Sequence, residues 1–317
     1  MRVNVIGAGV SGLSCAIRLC EAGHAVRVLA RARGEAIVSQ VAAAIWHPYN
    51  IQPVDRAAAW AAASYAELLR LSRDRPEAGI RLRQGIELLR EAPPTPLWWT
   101  DAVPGLRPAR ADELPAGYAA GYVFQSPIAE MPRYLAWLEA RLAALGGAIE
   151  PVDVDTIGGA FRAADVVVNC SGLGARELAG DDRLQPIRGQ VLWLRQVGLE
   201  RFWLDHQGPE GMTYIIPRGH DIVLGGTHQP GQHDLRPDPE TADAILDRCL
   251  RLEPALAGAE VLAHRVGLRP GRPEVRLEAE DTPAGLLLHD YGHAGAGVTL
   301  SWGCADAVLA LLHDRLG

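Results

Sequence analysis

Two glycine-rich turns, one near each end of the chain, carry the residue types and spacings that promise chemistry. The first is Gly7-Ala8-Gly9-Val10-Ser11-Gly12, a G-x-G-x-x-G run that follows an apolar stretch and opens an amphipathic one. The first glycine of such a run permits a tight turn, the second lets the backbone approach a pyrophosphate, and the third lets helix and strand pack closely. The helix N-terminus adds free amides and a positive dipole end. Gly7, Ala8, Gly9, Val10, Ser11 and Gly12 are therefore expected to hold a dinucleotide. The second turn lies in residues 288–305, LHDYGHAGAGVTLSWGCA, and it too runs into an apolar helix. Two sets of turn amides at opposite ends of one chain suit FAD, whose reactive ring needs its own cover, better than NAD.

These turns need elements to aim them. Residues 2–6 read as a strand, 11–22 as a helix closed by Gly23 and 25–30 as a second strand, which is half of a parallel βαβ unit. Helical periodicity recurs over 56–71, 132–145, 239–252 and 298–312, and strand-like runs occupy 85–89, 122–125, 166–169, 190–194, 213–217, 222–224 and 286–289. The proline-rich segment 91–115 reads as a surface loop. The pattern predicts an α/β (α+β) chain. A Rossmann-like FAD-binding domain would comprise residues 1–50, 130–178 and 280–317, and a mainly antiparallel β substrate domain residues 51–129 and 179–279. One position departs from the dinucleotide-binding pattern. An acidic residue about 20 positions after the glycines normally holds the ribose hydroxyls, and this chain has Arg31 in that neighbourhood. Either Arg31 contacts the adenosine ribose or phosphate or it is a solvated surface arginine, and the departure leaves the tightness of FAD binding open.

Composition narrows the function classes. With 48% hydrophobic residues among 317, the chain can bury a large core. Its 31 cationic residues against 38 acidic ones, a net charge of -7, give no basic field for nucleic acid. Five scattered cysteines, an odd number, suggest neither a disulfide framework nor a zinc site, so no metal is expected. The N-terminal apolar run falls far short of the ~20 residues of a membrane helix. A cytoplasmic enzyme acting on small molecules is the expectation, with a homodimer left open.

The run 288–305 resembles the C-terminal signature of the D-amino-acid oxidase family of FAD-dependent oxidoreductases, of the form H-[NHA]-Y-G-x-[GSA]-[GSA]-x-G-x5-G-x-A. Six further blocks are similar to that family: VAAAIWHPY at 41–49, VNCSG at 168–172, LQPIRGQ at 184–190, YIIP at 214–217, CLRLEP at 249–254 and GLRP at 267–270. The resemblance spans the chain. It implies that Arg269 clamps the substrate carboxylate, a role that suits a guanidinium, which offers a bidentate fork and stays charged when desolvated. It also implies that Tyr214 gives its phenol to the same carboxylate and that Gly295 offers its carbonyl to the substrate amine. Gly295, Gly297, Val298 and Thr299 would contact the flavin ring, Ala43, Ala44 and Ile45 would line it with amides, and Val154, Ser171 and Gly172 would approach the nucleotide.

The implied activity is oxidative deamination of mainly neutral D-amino acids, with oxygen as the electron acceptor and 2-oxo acid, ammonia and hydrogen peroxide as products. No side chain need act as acid or base, because catalysis is orientation of the α-hydrogen toward the flavin. Sibling activities remain open: oxidation of D-aspartate, which needs a second cation in the pocket that only His47 or one of the unplaced arginines could supply, or of glycine and secondary amines. So does a non-catalytic FAD- or NAD-binding role. Eukaryotic members carry a lid tyrosine four residues before the position of Tyr214; Glu210 stands there in a shortened segment, so an open entrance is expected.

Overall fold

The computed structural model describes residues 1–49, 51–93, 95 and 97–316. The chain begins β1 (Arg2–Ile6), α1 (Val10–Glu21) and β2 (Ala25–Leu29), followed by the short α2 (Val38–Val41), the long α3 (Val54–Asp74) and β3 (Ile80–Leu89). Then come β4 (Arg107–Pro108), β5 (Ala120–Ala129), α4 (Met131–Ala144), β6 (Ala148–Glu150), α5 (Ile157–Ala160), β7 (Val166–Asn169) and α6 (Ala175–Leu178). A run of strands follows, β8 (Gln185–Arg195), β9 (Phe202–Asp205), β10 (Thr213–Pro217), β11 (Asp221–Gly225) and β12 (Gln229–Pro230). The chain closes with α7 (Pro239–Leu252), β13 (Val261–Gly271), β14 (Arg276–Thr282), β15 (Gly285–Tyr291) and α8 (Gly297–Leu316).

Two sheets result. The first is ordered β14-β15-β7-β1-β2-β6, parallel except for the β14–β15 pair. Its central strands are buried on both faces, as parallel strands covered by helices must be. Leu13, Ile17 and Leu19 of α1 are at most 1% exposed, and burial of each contributes roughly 1.5–3 kcal/mol. The register pairs Ile6 with Leu29 and with Asn169, and Asn169 with His289. The carboxyl ends of four strands thus form one edge, where ligands bind in open α/β sheets. The α8 helix lies against α1 and α3, so close to α3 that a Cβ at Gly303 would stand 2.5 Å from the Trp60 Cα.

The second sheet has nine strands, ordered β12-β8-β11-β10-β9-β3-β5-β4, with β13 paired along β8 from Val261 to Gly271. All its pairs are antiparallel except β3–β9. Alternation gives it two different faces. Ile86, Leu192, Leu194, Ile215 and Leu224 bury against Ala242, Ile245 and Cys249 of α7, whereas the opposite face looks toward the first sheet. Six strands were not expected from the sequence: β4, β6, β9 and β12, each of four residues or fewer and too short to show a period, and the longer β13 and β14; in β13, glycines and a proline interrupt the alternation. The expected strand at 85–89 is the second half of β3, and the expected boundary at 280 falls inside β14, which belongs to the first sheet. In the expected loop 91–115, Pro94 and Pro96 lie outside the described residues. No described helix is long and apolar enough to cross a membrane.

Candidate functional site

Between the two sheets lies a cavity of about 1160 Å³, above the roughly 300–1,000 Å³ usual for a ligand pocket and roomy enough for a dinucleotide with a small substrate beside it. The first turn opens onto it. Gly7, Ala8, Gly9, Val10 and Ser11 line the cavity. Gly12 stands behind them, where any side chain would overlap the Gly7 carbonyl. A Cβ at Gly7 would come 2.6 Å from the carbonyl oxygen of Cys170. Bare glycines therefore let β1, α1 and β7 converge. Gly9 heads α1 and offers no side-chain cap of its own; the Val10 amide donates to the Ser39 hydroxyl at 3.1 Å, and the positive end of the helix faces the cavity.

The second turn is fixed from below and behind. The Ala294 amide donates to the Pro270 carbonyl at 3.0 Å, which ties the turn to the end of β13. Gly295, Gly297 and Val298 line the cavity. Thr299 does not; its hydroxyl donates to the His47 carbonyl and accepts from the His47 amide, both at 3.1 Å, so it binds the turn to the 43–47 segment. That segment is pinned to β5 by bonds from Trp46 N–H to the Pro127 carbonyl and from Ala129 N–H to the Ala44 carbonyl, each 2.9 Å, and it presents Ala43, Ala44 and Ile45 to the cavity. Ala44 and Ala294 both hold positive φ, 61° and 47°, and both line the cavity. Strain of this kind, of order 1–3 kcal/mol per residue, persists where surrounding contacts fix the backbone toward a ligand.

At the far end, Val154, Ser171, Gly172 and the exposed Arg31 line the cavity. Asp153 and Asp155 line it there too. They come from the loop after β6, and sequence reasoning, which looked only after β2, missed them. The run 288–305 departs from the signature form at Asp290, where that form has Asn, His or Ala. Its carboxylate is buried with the Cys15 and Cys170 sulfurs at 3.3 and 3.8 Å and His293 Nε2 at 3.0 Å. The adjacent Cys170 thiol and burial push the Cys15 thiol well up, so it stays protonated.

The wall opposite the turns belongs to the second sheet. Arg269 on β13 and Tyr214 on β10 both line the cavity. Arg269 donates from Nη1 to the Thr227 carbonyl at 2.9 Å and, among the described residues, has no carboxylate partner. Its neighbours in sequence are otherwise engaged: Arg272 with Asp181 at 2.8 Å, Arg276 with Glu278 at 2.6 Å, and Arg265 with Glu35 at 3.9 Å. Burial pushes the Tyr214 phenol up against the pull of the Arg269 charge, so it remains an O–H donor. Each of the two side chains lies over a glycine on a neighbouring strand. A Cβ at Gly189 would be 2.5 Å from the Arg269 Cζ, and one at Gly226 would be 2.7 Å from the Tyr214 hydroxyl. A Cβ at Gly295 would be 3.6 Å from the Arg269 Cδ, so the turn and the guanidinium are adjacent. Sequence reasoning missed Gly189, Gly225 and Gly226, whose importance depends on sheet register.

The residues present fit a flavin dinucleotide, with a glycine-headed helix end for a pyrophosphate, strained turns for a ring and room between the two. Such a cofactor cavity, bounded by an arginine that has no carboxylate partner among the described residues, is the site of a flavin-dependent oxidoreductase. Residues 2–311 match the family described as FAD dependent oxidoreductase, and the chain belongs to that family, with FAD as its cofactor. It is 53% identical over 311 residues to the D-amino-acid oxidase of Rubrobacter xylanophilus, covering 98% of this chain and 95% of that one. It is 36% identical over 326 residues to human D-aspartate oxidase, covering 99% and 95%. In fold it is similar to glycine oxidase from Bacillus cereus, with a TM-score of 0.79 at 19% identity over 99% of this chain and 95% of that one.

Proposed function

We propose that this protein is an FAD-dependent D-amino-acid oxidase acting mainly on neutral D-amino acids. The observation that carries the reading is Arg269, a guanidinium in the cavity wall without an internal carboxylate, beside a protonated Tyr214 and the Gly295 turn. Arg269 and Tyr214 bind the substrate carboxylate, and the Gly295 carbonyl accepts from the amine. Those two anchors fix two of the four substituents on the α-carbon. The third, the hydrogen, then faces the cofactor, and the fourth, the side chain, faces Leu204 and Met212. An L-enantiomer held by the same anchors would direct its side chain where the hydrogen belongs. When bound there, FAD would supply the two-electron acceptor, with oxygen as the final acceptor reduced to hydrogen peroxide, and the imino acid would hydrolyse to a 2-oxo acid and ammonia. Gly297, Val298 and the 43–45 segment hold the ring end of FAD, with Thr299 tying the two together through the His47 backbone, while Gly7 to Ser11, Arg31, Val154, Ser171 and Gly172 hold the nucleotide end and Gly12 lets β1 and α1 pack behind them.

Neutral side chains are favoured over D-aspartate because Arg272 in the cavity wall is bound to Asp181 at 2.8 Å and the His47 ring faces the Glu87 carboxylate at 3.3 Å. A cytoplasmic location suits the five free cysteines. A peroxide-coupled assay of FAD-supplemented protein against D-alanine, D-aspartate, glycine and their L-forms, where these exist, tests the reading. Turnover of D-alanine above the others supports it; preference for D-aspartate or glycine transfers the chain to a sibling activity, and no turnover of any removes the oxidase reading.

A further inference from the structure

Beyond the carboxylate-binding pair, the substrate wall ends in a carboxylate that the proposed reaction does not use. Glu87 on β3 pairs with Leu204 on β9, which pairs with Tyr214 on β10, so the three stand in one row on the cavity face. Two strand spacings, roughly 10 Å, separate the Glu87 and Tyr214 backbones. Glu87 is 6% exposed. His47 Nε2 lies 3.3 Å from its Oε2. The His206 ring stacks on His47 with centroids 4.9 Å apart, and Tyr49 stacks on His206 at 4.3 Å. Both histidines line the cavity, and Glu87 Oε2, His47 Nε2 and both His206 nitrogens are buried without a hydrogen-bond partner among the described residues.

The charges around this cluster can be followed element by element. From β3 comes Glu87 itself, which burial pushes up but His47 and then His206 hold below the usual glutamate value. From the β9–β10 connection comes His206, held down to about 3 by burial and then by His47. Asp205, at the end of β9, is engaged by Arg90 at 3.0 Å and by the Tyr118 hydroxyl at 2.6 Å. Trp99 and Phe124 close the apolar side of His47, and α8 contributes the Thr299 hydroxyl, which reaches only the His47 backbone. Glu87 is thus the fixed negative charge facing His47, a counterion supplied from within the wall.

We propose that Glu87, acting through His47, makes the side-chain pocket reject acidic D-amino acids, by supplying as an internal counterion what a substrate carboxylate would otherwise supply. This rests on the oxidase reading above. A second substrate carboxylate would have to lose its water beside an existing carboxylate in a low-dielectric wall, where like charges repel strongly. A neutral side chain meets Leu204, Met212 and imidazole faces and incurs no such penalty. If Glu87 loses its charge, the histidine pair becomes a vacant receptor, whose imidazole N–H can donate to the side-chain carboxylate of an acidic substrate.

The test is Glu87→Gln in the FAD-loaded enzyme, with kcat/KM for D-alanine, D-aspartate and D-glutamate measured from pH 6 to 9. The acidic-to-neutral ratio should rise at least tenfold at pH 6. Adding His47→Asn to Glu87→Gln should abolish the gain. A ratio that stays within about twofold of the parent at every pH, or both substrate classes losing activity in parallel, overturns the proposal and leaves Glu87 a packing residue. Should Glu87→Gln fail to hold FAD, Glu87→Ala removes the same charge and must move the ratio in the same direction. The parent enzyme separates the two levels of argument: silence on D-alanine removes the oxidase reading itself, whatever the ratio does.

Discussion

The two sides of the cavity use glycine for opposite purposes. Along the ends of β1 and α8, Gly7, Gly9, Gly12, Gly295 and Gly297 leave backbone bare, so that amides, carbonyls and helix ends form the lining. On the second sheet, Gly189, Gly225 and Gly226 leave room for other residues, the Arg269 guanidinium and the Tyr214 ring. The first arrangement recognises a phosphate and a ring through geometry that hardly depends on side-chain identity. The second, on the function proposed above, recognises a carboxylate through one charge and one hydroxyl, each held over a missing Cβ. Substitutions on the two sides should therefore fail in different ways.

The largest effect is expected from Arg269→Ala. Losing a desolvated charge partner costs about 3–5 kcal/mol, which is ~10²–10⁴-fold in kcat/KM. Flavin absorbance should be retained, because Arg269 belongs to the substrate side. Gly12→Ala should do the reverse. Its Cβ would overlap the Gly7 carbonyl, so β1 and α1 must separate, at about 1–3 kcal/mol, and the purified protein should emerge depleted of FAD. Added FAD should restore only part of the absorbance. Gly189→Ala should raise KM by roughly 10–100-fold with FAD content unchanged, since a displaced guanidinium misplaces the substrate by a fraction of an ångström or more. If Gly189→Ala lost FAD instead, the two sides would not be separable.

The smallest effect concerns pH. His206 is held down to about 3, so it is neutral in the folded protein while the unfolded chain binds a proton below about 6.5. Its contribution to stability is complete above about 6.5 and declines as pH falls toward 3. Melting temperature should drop over that window, and His206→Asn should flatten part of the drop.

The sequence disclosed the backbone side of this cavity far more fully than the side-chain side. A strand, a G-x-G-x-x-G turn and a helix follow one another locally, so their joint geometry is written in consecutive residues. The substrate wall is assembled from β3, β8, β9, β10, β11 and β13, and the resemblance of short blocks pointed to Arg269 and Tyr214 without showing what holds them. Gly189 matters only because β8 and β13 pair so that Arg269 sits opposite Ile187, one cross-strand diagonal away. Glu87 matters only because β3 runs parallel to β9. The strand β13 itself escaped notice, since VLAHRVGLRPG alternates poorly and pairs on one side only. Asp153 and Asp155 went unseen for a similar reason, their loop meeting the end of the cavity after more than a hundred intervening residues.

The most direct measurement is anaerobic titration of the FAD-loaded protein with D-alanine and, separately, L-alanine, following the flavin absorbance. The account predicts full bleaching by the D-form and none by the L-form, with the Arg269→Ala protein retaining its yellow colour under both. Bleaching by L-alanine, or equal bleaching of the parent and Arg269→Ala proteins by D-alanine, would contradict it.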